Sequence, residues 1–119
     1  MSSSCRSVLV VDDDPDAREM FALVLEMAGH TVRTAKDGEQ ALALAKEFGP
    51  DVIFLDIEMP RMNGYATCRK LRLSPALKRA RIYAVSGVTG AAHQRHCGEA
   101  GFDGQVSKPA DPQCLAGLL

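Results

Sequence analysis

Five short segments that favour strands alternate with longer amphipathic segments along this chain. Two of them, Ser7–Val11 and Asp51–Leu55, are apolar almost throughout, which is typical of strands buried on both faces of a sheet. The more polar segments Thr31–Ala35 and Arg81–Val85 predict two further strands, and the alternation itself favours a fifth at Gly104–Ser107.

Helices are predicted between these strands because apolar residues recur there at intervals of three and four. Gly29 and Gly49-Pro50 are stop signals, and Asp37 with Gln40 forms a capping-box pattern at the start of the second helix. The predicted helices cover about 17–28, 38–48, 64–73 and 89–100, with a short last helix of about two turns after Asp111-Pro112.

This alternation predicts an α/β fold in which an open, doubly wound, five-stranded parallel sheet carries helices on both faces. A length of 119 residues fits one domain, 1–119, with a truncated last helix. In folds of this class a ligand binds beyond the carboxyl ends of the strands, where the strand order reverses. The residues that follow each strand are therefore the first candidates for function.

Composition narrows the class of protein. The hydrophobic fraction of 46% and the charged fraction of 24% are ordinary for a globular domain, and a net charge of −1 argues against a dedicated nucleic-acid surface. No apolar stretch is long enough to cross a bilayer and no signal peptide is recognisable, so we expect a cytoplasmic protein with no membrane partner. The four cysteines form no C-x-x-C pair and are expected to be free thiols.

Four of the five predicted strands end at a polar or charged residue. The first strand is followed by Asp12 and Asp13, the third by Asp56, the fourth by Ser86 and the fifth by Lys108. An acidic surface turn would explain one such strand end, but it would not explain four. We therefore expect these side chains to meet at one edge of the sheet.

The chemistry of this set is specific. Carboxylates from two strands are hard oxygen ligands that suit Mg²⁺, and the cation offsets their mutual repulsion. A lysine and a hydroxyl group can hold oxygens of a phosphoryl group, and a carboxylate is a nucleophile that needs no base near neutral pH. The set predicts phosphoryl transfer to an aspartate.

The motifs VVDDDP, FLDIEMPRMNG, AVSG and SKP, in this order, resemble the receiver domain of two-component response regulators. The resemblance covers the chain from about Ser7 to the last helix. It implies the flavodoxin-like strand order 2-1-3-4-5, Asp56 as the phosphoacceptor, and a signalling domain in a phosphorelay rather than an enzyme. The partner would be a sensor histidine kinase or a phosphotransfer protein.

The same resemblance implies the Mg²⁺ ligands. Asp13 would bind the ion directly, Asp12 chiefly through a water molecule, and Asp56 and the backbone carbonyl of Glu58 would complete the protein's share. Asp14 is left over and is expected to cap the first helix.

The phosphoryl group would be held by two further residues. Ser86 would donate a hydrogen bond to one phosphoryl oxygen, and Lys108 would pair with the group and with Asp56. Gln105 stands where many receivers carry an aromatic switch residue, a mild indication of the receiver of a hybrid sensor kinase, in which case kinase activity would belong to the rest of that protein.

Two other functions stay open. A small phosphatase of the haloacid dehalogenase type also uses an aspartate, Mg²⁺ and a lysine, but Asp16 stands where its D-x-D-x-[TV] motif needs threonine or valine. A receiver-like interaction module without phosphorylation is the other. His93, His96 and Cys97 would share a helix face, and we interpret them as an exposed polar face rather than a soft-metal site.

One basic stretch remains outside this account. It surrounds Ser74-Pro75, and we interpret it as a solvated face rather than a nucleic-acid site; it comprises Arg69, Lys70, Arg72, Lys78, Arg79 and Arg81.

Overall fold

Five parallel strands form one sheet in the order β2-β1-β3-β4-β5. The computed structural model describes residues 6–59, 62–87 and 91–107. The strands are β1 Ser7–Val11, β2 Thr31–Ala35, β3 Val52–Asp56, β4 Arg81–Ser86 and β5 Gly104–Ser107. The predicted fold class and strand order are confirmed.

Four α-helices connect the strands within these ranges, α1 Pro15–Met27, α2 Gly38–Phe48, α3 Gly64–Arg72 and α4 Ala91–Ala100, with a short 3-10 helix at Pro75–Leu77. The four helices start within about two residues of the predicted positions, and three of the starts carry side-chain caps, Asp14, Asp37 and Asn63. Asn63 caps α3 through its side-chain oxygen, which accepts the backbone N–H of Ala66 at 2.9 Å. The predicted last helix after Asp111 lies outside the described residues.

The capping box of α2 differs in one detail from the predicted pattern. Asp37 accepts the backbone N–H of Gln40 at 2.8 Å, as expected. The Gln40 side chain, however, accepts the N–H of Lys36 rather than that of Asp37. It therefore holds the residue before the cap, which fixes the chain between β2 and α2.

Two apolar layers enclose the sheet. Alternate residues of β1 and β3 face opposite sides, because side chains alternate along a strand. Leu9, Val11, Ile53 and Leu55 pack with α2 and α3 on one side. Val8, Val10, Val52 and Phe54 pack with α1 on the other side, where Phe54 stacks on Tyr83 with ring centroids 5.7 Å apart. Both central strands are buried on two faces, as their sequences predict.

Arg72 joins four segments at the edge of the sheet where the strands begin. Its guanidinium group donates hydrogen bonds to the backbone carbonyls of Leu77, Ala80 and Gly101 and forms a 2.6 Å ion pair with Asp103. Since this one side chain at the end of α3 satisfies acceptors in the 3-10 helix, before β4, after α4 and before β5, it fixes how α3 and α4 meet.

Replacing Arg72 with alanine should lower the free energy of unfolding by about 2–3 kcal/mol, because it leaves several partly buried acceptors without their donor. Urea denaturation of Arg72→Ala measures this loss. Arg69→Ala is the matched control, since Arg69 is exposed on the same helix and should change stability by less than about 0.5 kcal/mol. Equal losses in the two variants would contradict the role given to Arg72.

Cys68 and Cys97 are free and buried, as the prediction of free thiols requires for these two. Burial raises the pKa of the Cys68 thiol from its ordinary value of 9.0 to about 12. Between these pH values the native chain keeps a proton that the unfolded chain has lost, so the free energy of unfolding falls as the pH rises.

We expect the stability of the wild type to decline more steeply between pH 9 and 12 than that of Cys68→Ala. Urea denaturation at several alkaline pH values measures the free energy of unfolding of both proteins. The comparison uses the slope of this free energy against pH, because the variant also loses packing energy at every pH. Parallel profiles would contradict the contribution of Cys68.

Among the described residues, none of the helices combines the length and the apolar character that a bilayer crossing needs.

Candidate metal and phosphoryl site

The strand register brings Asp12 and Asp56 side by side. Val11, the last residue of β1, pairs with Leu55 of β3, and the next residue in the chain after each of them is an aspartate. Both carboxylates are nearly inaccessible, with relative exposures of 3% for Asp12 and 1% for Asp56. Two apolar strands thus end in two acidic side chains at one point of the sheet edge.

Asp13 completes a cluster of three carboxylates. One oxygen from each of Asp12, Asp13 and Asp56 lies within 4.8 Å of the others. Asp13 is exposed while the other two are buried, so the cluster opens to solvent on one side. Oxygen ligands that converge in this way fit a hard divalent cation that keeps several water molecules, which is the coordination that Mg²⁺ prefers.

The first aspartates also shape the turn after β1. Asp12 accepts the backbone N–H of Asp14 at 2.9 Å, and Asp14 accepts that of Asp16 at 3.1 Å. Asp14 is the N-cap of α1, as predicted, and Pro15 follows at the first helical position. The three consecutive aspartates therefore divide between the carboxylate cluster and a helix cap.

Ser86 lies on the next strand, within β4 rather than after it. β3 and β4 pair Asp56 with Val85, so Ser86 is one residue beyond the aspartate at the same sheet edge. Its side chain is 1% exposed. The sequence pattern predicts that β4 ends at Val85, but the strand is one residue longer and includes Ser86.

Glu58 makes side-chain contacts at the site in addition to the backbone carbonyl role predicted from the sequence. Its backbone N–H donates to a carboxylate oxygen of Asp56 at 3.0 Å. Its own Oε1 accepts the backbone N–H of Gly87 at 3.2 Å and lies 3.5 Å from the Ser86 hydroxyl. Glu58 therefore connects the loop after β3 to the end of β4.

Gly64 allows α3 to begin directly against the loop that follows Asp56. Its N–H donates to the carbonyl of Ile57 at 3.0 Å. A Cβ atom at this position would lie 2.6 Å from the carbonyl oxygen of Asp56 and 2.7 Å from Cα of Ile57. The motif residue Gly64 is thus explained by close approach of backbone to backbone.

Gln105 lies in the fifth strand, and the predicted site residue Lys108 follows that strand in the sequence. Lys108 lies outside the described residues. Gln105 is an exposed residue of β5, so it is not buried as an inward-turned switch residue would be. The structure therefore brings together the acidic cluster and Ser86.

His30 and His93 are both buried, and the burial of His93 corrects its interpretation as part of an exposed polar face. The Nδ1 atom of His30 accepts the backbone N–H of Arg6 at 3.0 Å, which ties the start of β1 to the end of α1. His93 on α4 forms a hydrogen bond with the Tyr65 hydroxyl on α3. Neither residue carries a periodic sequence signal, because a single buried polar residue depends on packing between elements.

The predicted polar face of α4 is divided. Cys97 is buried with His93, and its Sγ lies 3.6 Å from Nε2 of that histidine. His96 is exposed and rests against the ring of Tyr65. Burial raises the pKa of both the Tyr65 hydroxyl and the Cys97 thiol, and the nearby thiol adds to the shift of the tyrosine. Within the described residues these groups do not assemble three metal ligands.

Comparison with known proteins gives a consistent picture. The family model described as the response regulator receiver domain matches residues 8–119. The "DNA-binding response regulator MtrA" of Mycolicibacterium smegmatis is 36% identical over 119 residues, which covers 97% of this chain and 49% of that protein. The "Probable transcriptional regulator ycf27" of Guillardia theta is 38% identical over 109 residues, covering 91% of this chain and 41% of that protein.

Solved structures agree with these sequence matches. The chemotaxis protein CheY4 of Vibrio cholerae superposes with a TM-score of 0.92 at 32% identity, covering 96% of this chain and 95% of that one. The chain spans less than half the length of the two curated relatives. It matches the length of the chemotaxis protein almost completely.

Proposed function

The chain belongs to the response regulator receiver family, and on that premise we propose that Asp56 accepts a phosphoryl group from a phosphohistidine. The observation that carries this proposal is the convergence of Asp12, Asp13 and Asp56 within 4.8 Å beside the buried Ser86. Receiver domains are signalling domains, so the reaction would load this domain with phosphate rather than turn over a substrate. The matched region also supports treating 1–119 as one receiver unit.

Each residue of the site has a proposed role. Asp12 and Asp13, with the backbone carbonyl of Glu58, would hold Mg²⁺, which supplies charge neutralisation for the incoming phosphoryl oxygens when bound. The hydroxyl group of Ser86 would donate a hydrogen bond to one phosphoryl oxygen, and Lys108 would pair with another. None of these groups needs to lose a proton, so the protein's contribution is position and charge.

The transfer itself exchanges one bond for another. An Asp56 carboxylate oxygen attacks phosphorus, an acyl phosphate bond forms, and the bond between phosphorus and the donor's imidazole nitrogen breaks. The electron pair of that bond stays on the imidazole. Burial of Asp56 at 1% exposure limits access of water, which supports retention of the product long enough to signal.

The phosphatase alternative is disfavoured by a specific contact. In a haloacid dehalogenase motif the second aspartate, here Asp14, would act as the acid or base. The Asp14 side chain instead accepts the backbone N–H of Asp16 at 3.1 Å as the cap of α1. A residue committed to capping a helix is poorly placed to transfer protons.

Incubation with Mg²⁺ and acetyl phosphate tests the proposed function. We expect one phosphoryl group per chain by intact mass, no incorporation when EDTA replaces Mg²⁺, and none in Asp56→Asn. Continuous release of inorganic phosphate over many turnovers would instead indicate the phosphatase. No change in mass would indicate a non-phosphorylated interaction module.

Phosphorylation should be reported through the loop after β4. Since Glu58 holds both Gly87 and Ser86, turning Ser86 toward a phosphoryl group would break this contact and release the segment that leads to α4. We expect a beryllofluoride mimic to change amide hydrogen exchange most in residues 86–105, with α1 and α2 nearly silent. Changes confined to α1 and α2 would contradict this output surface.

The partners follow from the family. Receiver domains are phosphorylated by histidine kinases, and a sensor kinase or a phosphotransfer protein is the proposed donor here. The family assignment also supports the cytoplasm as the proposed compartment. The relative from Mycolicibacterium smegmatis is named as a DNA-binding regulator over a chain about twice as long, so we propose no nucleic-acid contact for this domain alone.

A further inference from the structure

Charge is divided sharply along this chain, although the total is close to zero. Residues 1–58 contain twelve of the fifteen acidic residues and five basic ones, a net charge of −7. Residues 59–98 contain eight basic residues and no acidic one, a net charge of +8. The strand order places the first segment on the β2-β1-β3 side and the second toward β4 and β5. The balanced composition therefore conceals a strongly polarised molecule.

The basic charge gathers at the end of α3 and the start of β4. We call the five exposed cations of this region the basic face; they are Arg69, Lys70, Lys78, Arg79 and Arg81. Arg72 does not belong to it, because that side chain is partly buried and bonded to the backbone. Between the two basic pairs the chain presents Leu73, which is 81% exposed, followed by exposed Pro75 and Ala76.

The dipole of α3 explains the position of only two of the five cations of the basic face. Arg69 and Lys70 lie in the last turn of α3, where cations favour the helix dipole. Lys78, Arg79 and Arg81 lie outside that helix and gain nothing from it. The helix dipole therefore does not explain the presence of these three cations.

The neighbouring carboxylates do not neutralise the basic face. Asp103 pairs with Arg72, and Asp51 accepts the backbone N–H of Ser7. Over the ranges 6–59, 62–87 and 91–107, no carboxylate lies within ion-pairing distance of any of the five cations. Their mutual repulsion is therefore uncompensated within the described part of the molecule, which leaves the face complementary to an external acidic group.

We propose that the basic face docks an acidic protein segment whose apolar side chains cover Leu73. An exposed apolar centre within a charged rim is the usual anatomy of a protein interface. A nucleic acid fits less well, since the end of α3 presents carbonyl groups rather than N–H donors to a phosphate. Single strands also need exposed aromatic rings for stacking, and Tyr83, the aromatic residue of the adjoining strand, is 9% exposed.

This docking goes beyond the proposed function and does not compete with it. The basic face lies where β4 begins, at Arg81, and the phosphoryl site lies where β4 ends, at Ser86. At about 3.3 Å per residue these ends are roughly 16 Å apart. A phosphodonor at one edge therefore leaves the other edge accessible.

A synthetic amphipathic helix with glutamate on its polar face and leucine on its apolar face is the probe. Amide shift titrations at physiological salt should locate its binding at residues 69–81. Neutralising Lys70, Lys78 and Arg79 together as glutamines should weaken binding roughly tenfold, since each rim charge contributes modestly. The matched control neutralises three exposed cations elsewhere, Arg6, Lys36 and Lys46, and should bind the probe as the wild type does.

Further arms exclude the other occupants. A glutamine version of the probe and polyglutamate should each bind weakly, because one lacks charge and the other lacks an apolar face. Tighter binding of a DNA duplex than of the probe would overturn the proposal in favour of nucleic acid. Salt-sensitive self-association that the triple variant alone removes would assign the face to a second copy and overturn it as well. Equal losses of probe binding in the triple variant and in the control variant would also refute it. We expect the triple variant to be phosphorylated like the wild type, so a failure of the docking proposal can be distinguished from a failure of the proposed function.

Discussion

Asp13→Ala is expected to abolish measurable Mg²⁺ binding and phosphorylation by acetyl phosphate while the fold persists. Asp13 is the exposed member of the carboxylate cluster, so its removal deletes a hard ligand and leaves the apolar layers untouched. Fewer like charges at the strand ends also relieve repulsion, so stability should change by no more than about 0.5 kcal/mol. Amide shift titration with Mg²⁺ and intact mass after acetyl phosphate treatment measure the two losses.

Asp16→Ala provides the matched control for that experiment. Asp16 carries the same charge three residues further on, is exposed in the first turn of α1, and lies outside the cluster. It should bind Mg²⁺ and accept phosphate much as the wild type does. If Asp13→Ala is phosphorylated as fast as Asp16→Ala, the assignment of the acidic cluster is wrong.

Gly64→Ala should destabilise the protein by about 1–3 kcal/mol, a large share of the stability of a domain this size. The added Cβ would lie 2.6 Å from the Asp56 carbonyl oxygen and 2.7 Å from Cα of Ile57, so backbone must move. Because that backbone carries Asp56, the proposed phosphoacceptor, we expect slower phosphorylation as well as a lower midpoint in urea.

Gly98→Ala is the same substitution in a different setting. A Cβ at Gly98 would have no neighbour within 4 Å, and the residue lies inside α4. Alanine favours a helix interior by up to about 1 kcal/mol over glycine, so this variant should be more stable than the wild type. Destabilisation by both substitutions to a similar extent would contradict the close-approach explanation for Gly64.

The strand ends that carry the site were predictable because the signal is local. The apolar runs before Asp12 and Asp56 are uninterrupted, so their ends are visible in the sequence. The predicted start of β3 was one residue early, and Asp56 is the last residue of that strand. The weakest strand, Gly104–Ser107, is also confirmed, as the partner of β4.

The contacts that depend on packing between distant elements were not predictable. The sequence predicts a backbone role for Glu58, whereas its side-chain contacts with Ser86 and Gly87 depend on the end of β4, 28 or more residues away. The burial of His30 and His93 likewise depends on partners from other elements. A lone polar residue has no period in sequence, so its burial is decided only when the elements pack.

The strand order shows that the acidic and the basic segments of the chain lie toward different sides of the sheet. The six basic residues around Ser74-Pro75 were interpreted as a solvated face from sequence. The structure separates Arg72, which is bonded to the backbone, from the five exposed cations. Sequence spacing alone does not distinguish the partly buried Arg72 from the five exposed cations.

The position of the phosphoryl group tests the central claim most directly. After incubation with acetyl phosphate and Mg²⁺, borohydride reduces an acyl phosphate and leaves a permanent mass change on the side chain that carried it. Peptide mass spectrometry should locate that change at Asp56 and at none of the other acidic residues of the site, Asp12, Asp13 and Glu58. Modification of Asp12 or Asp13 in place of Asp56, or no modification at all, would contradict the account.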